Sequence, residues 1–158
     1  MKLHLNIKEQ QLTLIEPGRT TRFSISTAAN GAGEQTGSGC TPRGLHIIRA
    51  KIGAGLPENA VFIGRRFTGE IYSPALAQSN PERDWILTRI LWLSGCEPGV
   101  NRLGNVDSMR RYIYIHGTPD TEPMGVPASH GCIRMRNNDL LTLFNRVSVG
   151  TPLLIEES

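Results

Sequence analysis

The first twenty-seven residues place the strongest limit on the fold. Residues 2–7 alternate polar and apolar side chains, and 11–15 repeat the alternation after a short turn. Arg22–Thr27 (RFSIST) alternates again beyond Pro17-Gly18. A period of two puts one set of side chains on each face of an extended chain, and Pro-Gly marks a turn. The segment therefore reads as a strand meander. Further on, Leu45–Ala50 resumes as a strand, and Trp85–Leu93 (WILTRILWL) is apolar enough for a buried one, with a helix left open by periodicity alone. Tyr112–Ile115 (YIYI) is β-prone, and Leu153–Ile155 supplies a last strand. Only Leu140, Leu143, Phe144 and Val147 recur at helical intervals, with Asn137, Asn138 or Asp139 as candidate cap. Many strands and one short helix near the C-terminus point to a mainly β sandwich or barrel.

At 158 residues the chain fits one domain, 1–158. Residues 53–84 carry Pro57, Pro74 and Pro81 with several glycines and read as an excursion over one sheet face, a candidate lid. Residues 28–44 are loop-like, but no GK[ST] follows their glycines, so a phosphate-binding Walker loop is rejected. The net charge of +3 is dispersed without a Lys/Arg tract, which argues against nucleic acid as a partner and suits a small acidic substrate. No stretch reaches the ~18 apolar residues of a membrane span. The first ten residues hold no apolar signal core, so the expected location is the cytoplasm, with the periplasm as the alternative if a signal peptide precedes them. Three cysteines, Cys40, Cys96 and Cys132, leave at least one thiol free, which suits a reducing compartment or a reactive thiol.

Two segments stand out chemically, Ile115-His116-Gly117-Thr118 and Ser129-His130-Gly131-Cys132-Ile133-Arg134-Met135. Pro119, Pro123, Gly125 and Pro127 make the stretch between them a loop, which can return Cys132 to the end of the strand bearing His116. A thiol near its ordinary pKa is mostly protonated at neutral pH, and an adjacent imidazole raises its thiolate fraction through an ion pair. The base needs a third group on its other nitrogen. Gly131 lets the chain turn before Cys132, so that nearby backbone N–H groups can face a developing oxyanion. His130, two residues from the thiol, is the rival base. Cys40 and Cys96 read as small buried hydrophobes. A zinc site from His116, His130 and Cys132 lacks any CxxC or HExxH spacing, so no metal and no cofactor is expected. Arg134 is either a solvated side chain or a clamp for a substrate carboxylate. Tyr114 and Ser129 are further candidates for substrate contact, and no G-x-S-x-G surrounds Ser129.

Ser129-His130-Gly131-Cys132-Ile133-Arg134 with His116-Gly117-Thr118 upstream resembles the signature of the L,D-transpeptidase (YkuD-type) catalytic domain. Ser38-Gly39-Cys40-Thr41-Pro42-Arg43-Gly44 is similar to that family's Ser-x-x-Thr-Pro-x-Gly segment, and the likeness runs over roughly residues 3–155. The resemblance implies a β-sandwich and a cysteine acyl-enzyme mechanism on peptidoglycan stem peptides. In that scheme Cys132 is the nucleophile, His116 the base and the Gly117 carbonyl its orienter, while His130 and Gly131 line the oxyanion site. The expected substrate is a tetrapeptide or muropeptide, and the expected reaction is L,D-carboxypeptidation in wall recycling. The alternatives are a transpeptidase forming 3→3 cross-links or attaching amines or proteins in the periplasm, and a non-catalytic muropeptide-binding module. The sequence sets no oligomeric state.

Overall fold

The computed structural model describes residues 1–158. Ten strands and two helices follow one another along the chain: β1 (Lys2–Asn6), β2 (Gln11–Glu16), β3 (Arg19–Ser26), β4 (Gly44–Ile52), β5 (Ala60–Ile63), β6 (Arg66–Ile71), α1 (Pro74–Ser79), β7 (Ile86–Gly95), β8 (Tyr114–Gly117), β9 (Ile133–Met135), α2 (Asn137–Arg146) and β10 (Pro152–Glu156). The mainly β expectation holds. All strands join one sheet in the order β4-β10-β1-β2-β3-β9-β8-β7-β5-β6, and a β4–β7 pairing brings its two sides together around the core. The β1–β10 and β8–β9 pairs are parallel. Parallel neighbours need a long connection, and residues 118–132 supply it for β8 and β9.

Alternation in the strands sorts the side chains as expected. Leu3, Leu5, Leu12, Leu14, Phe23 and Ile25 enter a twenty-residue apolar cluster with Ile115, Ile133 and Met135. Helix α2 adds Leu140, Leu143 and Phe144 to the same cluster, with Val147 just beyond its end. Fully burying one such side chain contributes about 1.5–3 kcal/mol, so this interior holds the sheet and anchors β8 and β9 from behind. The α2 cap differs from expectation. Arg136 is the N-cap and makes no side-chain capping bond. Asn137 turns inward instead, accepting from Thr88 Oγ1 at 2.8 Å and donating to Asn59 Oδ1 at 2.9 Å.

Residues 53–84 fold into the β5–β6 hairpin and α1, a second helix that the periodicity did not reveal because it is six residues long and buries none. The hairpin packs Ala60 and Phe62 over Ile90 and Tyr114, with Trp92 and Cys132 at the margin. The excursion therefore covers the outer face of β7 and β8. Strand β7 serves β5 with Ile86 and Leu87 and β4 with Ile90–Gly95 along one edge. Its register against β8 shifts between Leu87 and Ile90, where Thr88 takes φ +77°. A β-branched residue there is strained. Its bonds with Asn59 N and Asn137 hold it in place, directly behind Gly117.

Candidate active site

Strands β8 and β9 run side by side with His116 paired to Arg134 and Ile115 to Ile133. The alternation sends Ile115, Ile133 and Met135 into the core. It sends Tyr114, His116, Cys132 and Arg134 to the opposite face. Gly117 is demanded by packing: a Cβ there would overlap Asn137 Oδ1 and come within 2.6 Å of Leu87 O. The close approach fixes the Gly117 carbonyl, which accepts from His116 Nδ1 at 2.7 Å. That bond sets the tautomer with the proton on Nδ1 and the lone pair on Nε2. Nε2 has no protein partner. His116 is only 2% exposed, so this nitrogen sits at the edge of the buried face without a partner.

Cys132 Sγ contacts two backbone groups of the neighbouring segment. It accepts from Tyr114 N and donates to Tyr112 O, both at 3.3 Å. The expected hydrogen bond from the thiol to His116 is not formed, and neither is the expected ion pair. Burial pushes the thiol up to about 11, with the Tyr114 N–H, Arg134 and Arg111 pulling the other way. Burial also lowers His116, against the Gly117 carbonyl and the Asp84 charge. Both groups are thus neutral at rest, because neither charge is solvated there. The two share one sheet face on adjacent strands, and bonds of this kind are often long in a free enzyme and tighten around substrate.

The turn carrying Cys132 is braced by two hydroxyl side chains. Ser129 Oγ donates to Cys132 O and accepts from Gly131 N at 3.2 Å. Thr41 Oγ1 donates to Gly131 O at 2.9 Å and accepts from Ala28 N. The Thr-Pro segment read from the sequence therefore grips the cysteine turn itself. Ser129 is 3% exposed and acts as a brace, not a substrate contact. Gly131 N, expected in the oxyanion site, is already used by Ser129. The N–H groups of His130 and Cys132 donate to no protein acceptor and remain free for an oxyanion.

Two other expectations change. Arg134 is neither solvated nor available to a substrate: its guanidinium meets Asp84 at 3.0 Å, Glu122 at 3.2 Å and Ala128 O, with the side chain 6% exposed. Tyr114 is buried, and its hydroxyl accepts from Arg65 Nη1 at 3.0 Å, so it faces the hairpin tip instead of a ligand. Asp84 went unnoticed in the sequence. It joins His130 Nδ1 at 3.1 Å to Arg134, and its carboxyl lies below its ordinary value through the bond from His130 and the charge of Arg134, which outweigh the opposing effect of burial. Nothing around Asp84 in the chain signals this, since its partners lie 46 and 50 residues away. Cys40 and Cys96 are half-buried free thiols, more open than expected. No three His, Cys, Asp or Glu side chains converge in a metal-binding arrangement.

A groove of about 460 Å³ opens beside Cys132. Its walls are Thr36, Gly37 and Gly39, Arg110–Ile113 and His130–Cys132, with nothing from the 53–84 excursion. No helix is long and apolar enough to cross a membrane.

Residues 2–155 match the profile of the L,D-transpeptidase catalytic domain family (YkuD). The probable L,D-transpeptidase YbiS of Escherichia coli is 49% identical over 41 residues, 26% of this chain and 13% of that protein. The putative L,D-transpeptidase YqjB of Bacillus subtilis is 46% identical over 43 residues, 27% of this chain and 24% of that protein. Among solved structures, an L,D-transpeptidase from Xylanimonas cellulosilytica superposes with a TM-score of 0.60 at 19% identity, covering 98% of this chain and 59% of that one. An Enterococcus faecium L,D-transpeptidase gives 0.58 at 16%, covering 98% and 49%. The matches span a quarter or less of the curated relatives and about half to three-fifths of the solved chains. At these identities the structural likeness speaks to the fold.

Proposed function

Because the chain belongs to the L,D-transpeptidase catalytic-domain family, we propose that it works on peptidoglycan stem tetrapeptides as an L,D-carboxypeptidase, with Cys132 as nucleophile and His116 as base. The observation that carries this reading is the free Nε2 of His116 on the same sheet face as a thiol that opens into a groove.

Burial pushes the thiol up to about 11, so the resting group is protonated at pH 7. The base therefore acts during attack. His116 Nε2 takes the thiol proton as Sγ adds to the carbonyl of the L-centre of meso-diaminopimelate. The N–H groups of His130 and Cys132 receive the oxyanion. Collapse breaks the amide, and D-Ala leaves with the proton from His116. A water, deprotonated by the same imidazole, then hydrolyses the thioester to the tripeptide. In this scheme the Sγ–Nε2 hydrogen bond, not made at rest, forms around the bound substrate.

Water is the acceptor in this reading, and the groove of about 460 Å³ is the cavity that Cys132 lines. In this reading the substrates are soluble muropeptides from wall turnover, met in the cytoplasm, and cell fractionation tests the location.

Incubation of the protein with a defined tetrapeptide, with and without an amine acceptor, tests the reaction. Free D-Ala and tripeptide are expected in both. Cross-linked dimers replacing tripeptide would overturn water as the acceptor. Binding with no D-Ala release would leave only the muropeptide-binding module.

A further inference from the structure

We propose that Arg110 and Arg111 receive a free carboxylate of the donor peptide in the groove beside Cys132, making the enzyme selective for stem peptides that are not amidated there. The proposal rests on the stem-peptide reading above and goes beyond it by naming what the groove recognises.

The groove wall holds two arginines and no aspartate or glutamate. Four arginines, Arg43, Arg83, Arg134 and Arg146, each pair with a carboxylate. Arg111 does not. It donates to Cys40 O at 2.7 Å and to Gly33 O and Ser38 Oγ at 3.3 Å, all uncharged acceptors. These bonds hold the guanidinium half-buried in the wall with no carboxylate in contact, the Glu34 charge acting on it only from farther off. Burial accordingly lowers Arg111 from its ordinary value. Arg110 makes no side-chain hydrogen bond and no ion pair. Its backbone N–H is fixed by Asp107 Oδ1 at 3.0 Å, which aligns the residue while leaving the guanidinium exposed.

A fixed, unpaired positive charge beside a nucleophile lowers the energy of an anion placed there. The planar fork of an arginine suits carboxylate geometry. In a stem tetrapeptide three carboxylates lie within a residue or two of the scissile amide: that of the leaving D-Ala, that of the D-centre of diaminopimelate, and the α-carboxylate of the γ-linked glutamate. Each is within chain reach of a groove that begins at Sγ. Arg111 then supplies the fixed charge, and Arg110 the side chain free to close on the ligand.

The test measures kcat/KM on four tetrapeptides, one with all carboxylates free and three each amidated at one position. A charge-assisted pair of this kind corresponds to roughly a ten- to hundredfold change. One amidation should lower kcat/KM by that factor in the wild type. Arg110→Gln should lose most of the discrimination, Arg110→Lys should keep part of it, and Arg49→Gln, which removes an exposed charge on β4 outside the groove, should keep all of it. The position whose amidation matters identifies the carboxylate. Equal rates on all four peptides, or discrimination that survives Arg110→Gln, would overturn the proposal while leaving the stem-peptide reading intact. Failure of the wild type to process any of the four would end both.

Discussion

Two buried histidines, His46 on β4 and His116 on β8, separate structure from chemistry in this fold. Each is at most 2% exposed and each bonds a nearby backbone carbonyl through Nδ1, Gly44 O at 3.0 Å and Gly117 O at 2.7 Å. Burial lowers the pKa of both. The difference is at Nε2. In His46 it meets Ser108 Oγ at 2.8 Å and the ring is saturated. In His116 it meets nothing and lies on the sheet face of Cys132. A buried ring with both nitrogens satisfied ties strands together, whereas one with a spare nitrogen on the sheet face of a cysteine can move a proton.

The largest expected effect comes from exchanging the two roles. His116→Gln should reduce kcat/KM on a tetrapeptide by about 10²–10⁴, the range for losing a general base, while the protein still unfolds cooperatively. His46→Gln should leave kcat/KM within about twofold and lower stability by roughly 1–3 kcal/mol, the cost of disturbing a satisfied buried pair. Equal activity losses in the two variants would erase the distinction.

The pH dependence sharpens the same comparison. His46 protonates near pH 4 when folded and near its ordinary 6.5 when unfolded. As pH falls, the unfolded chain takes up the proton first. Stability from this group is full above about 6.5 and is lost between 6.5 and 4, by about 3 kcal/mol at most. Urea unfolding across that window should show the slope, and His46→Gln should flatten it. The acid limb of kcat/KM should instead follow His116 and fall below pH 6.5, since its folded pKa is lowered and the base works only when neutral. A limb unchanged in position by burial, at or above 6.5, would contradict the assignment.

The smallest effect belongs to Asp84, whose side chain is 47% exposed. Asp84→Asn should change stability by less than about 1 kcal/mol, because His130 is exposed and the buried Arg134 keeps Glu122 and Ala128 O. It should slow turnover severalfold by releasing His130 and Arg134, which flank the cysteine turn. A stability loss with unchanged turnover would make Asp84 a structural residue.

What was legible in the sequence was what a strand period or a local motif encodes. The meander of β1 to β3, the apolar faces of β7 and α2 and the pairing of a His-Gly strand end with a Gly-Cys turn all come from neighbours in the chain. The rest depends on contacts between distant segments. Thr41 holds Gly131 across 90 residues and Asp84 reaches Arg134 across 50. Arg134 looked free because its two carboxylates lie on other loops. Asn137 looked like a cap because Asn favours that position, yet Thr88 and Asn59 draw it inward. The neutral state of Cys132 was equally hidden, since it follows from how deeply the two strands and the hairpin bury the thiol.

The central claim, that Cys132 reacts and His116 enables it from the neighbouring strand, is tested most directly by intact-mass spectrometry after exposure to a carbapenem. The wild type should gain one adduct, mapped to Cys132 by peptide digestion. Cys132→Ala should gain none, and His116→Gln should gain it at least about a hundredfold more slowly. An adduct on Cys40 or Cys96 instead, or wild-type rates in His116→Gln, would contradict the account.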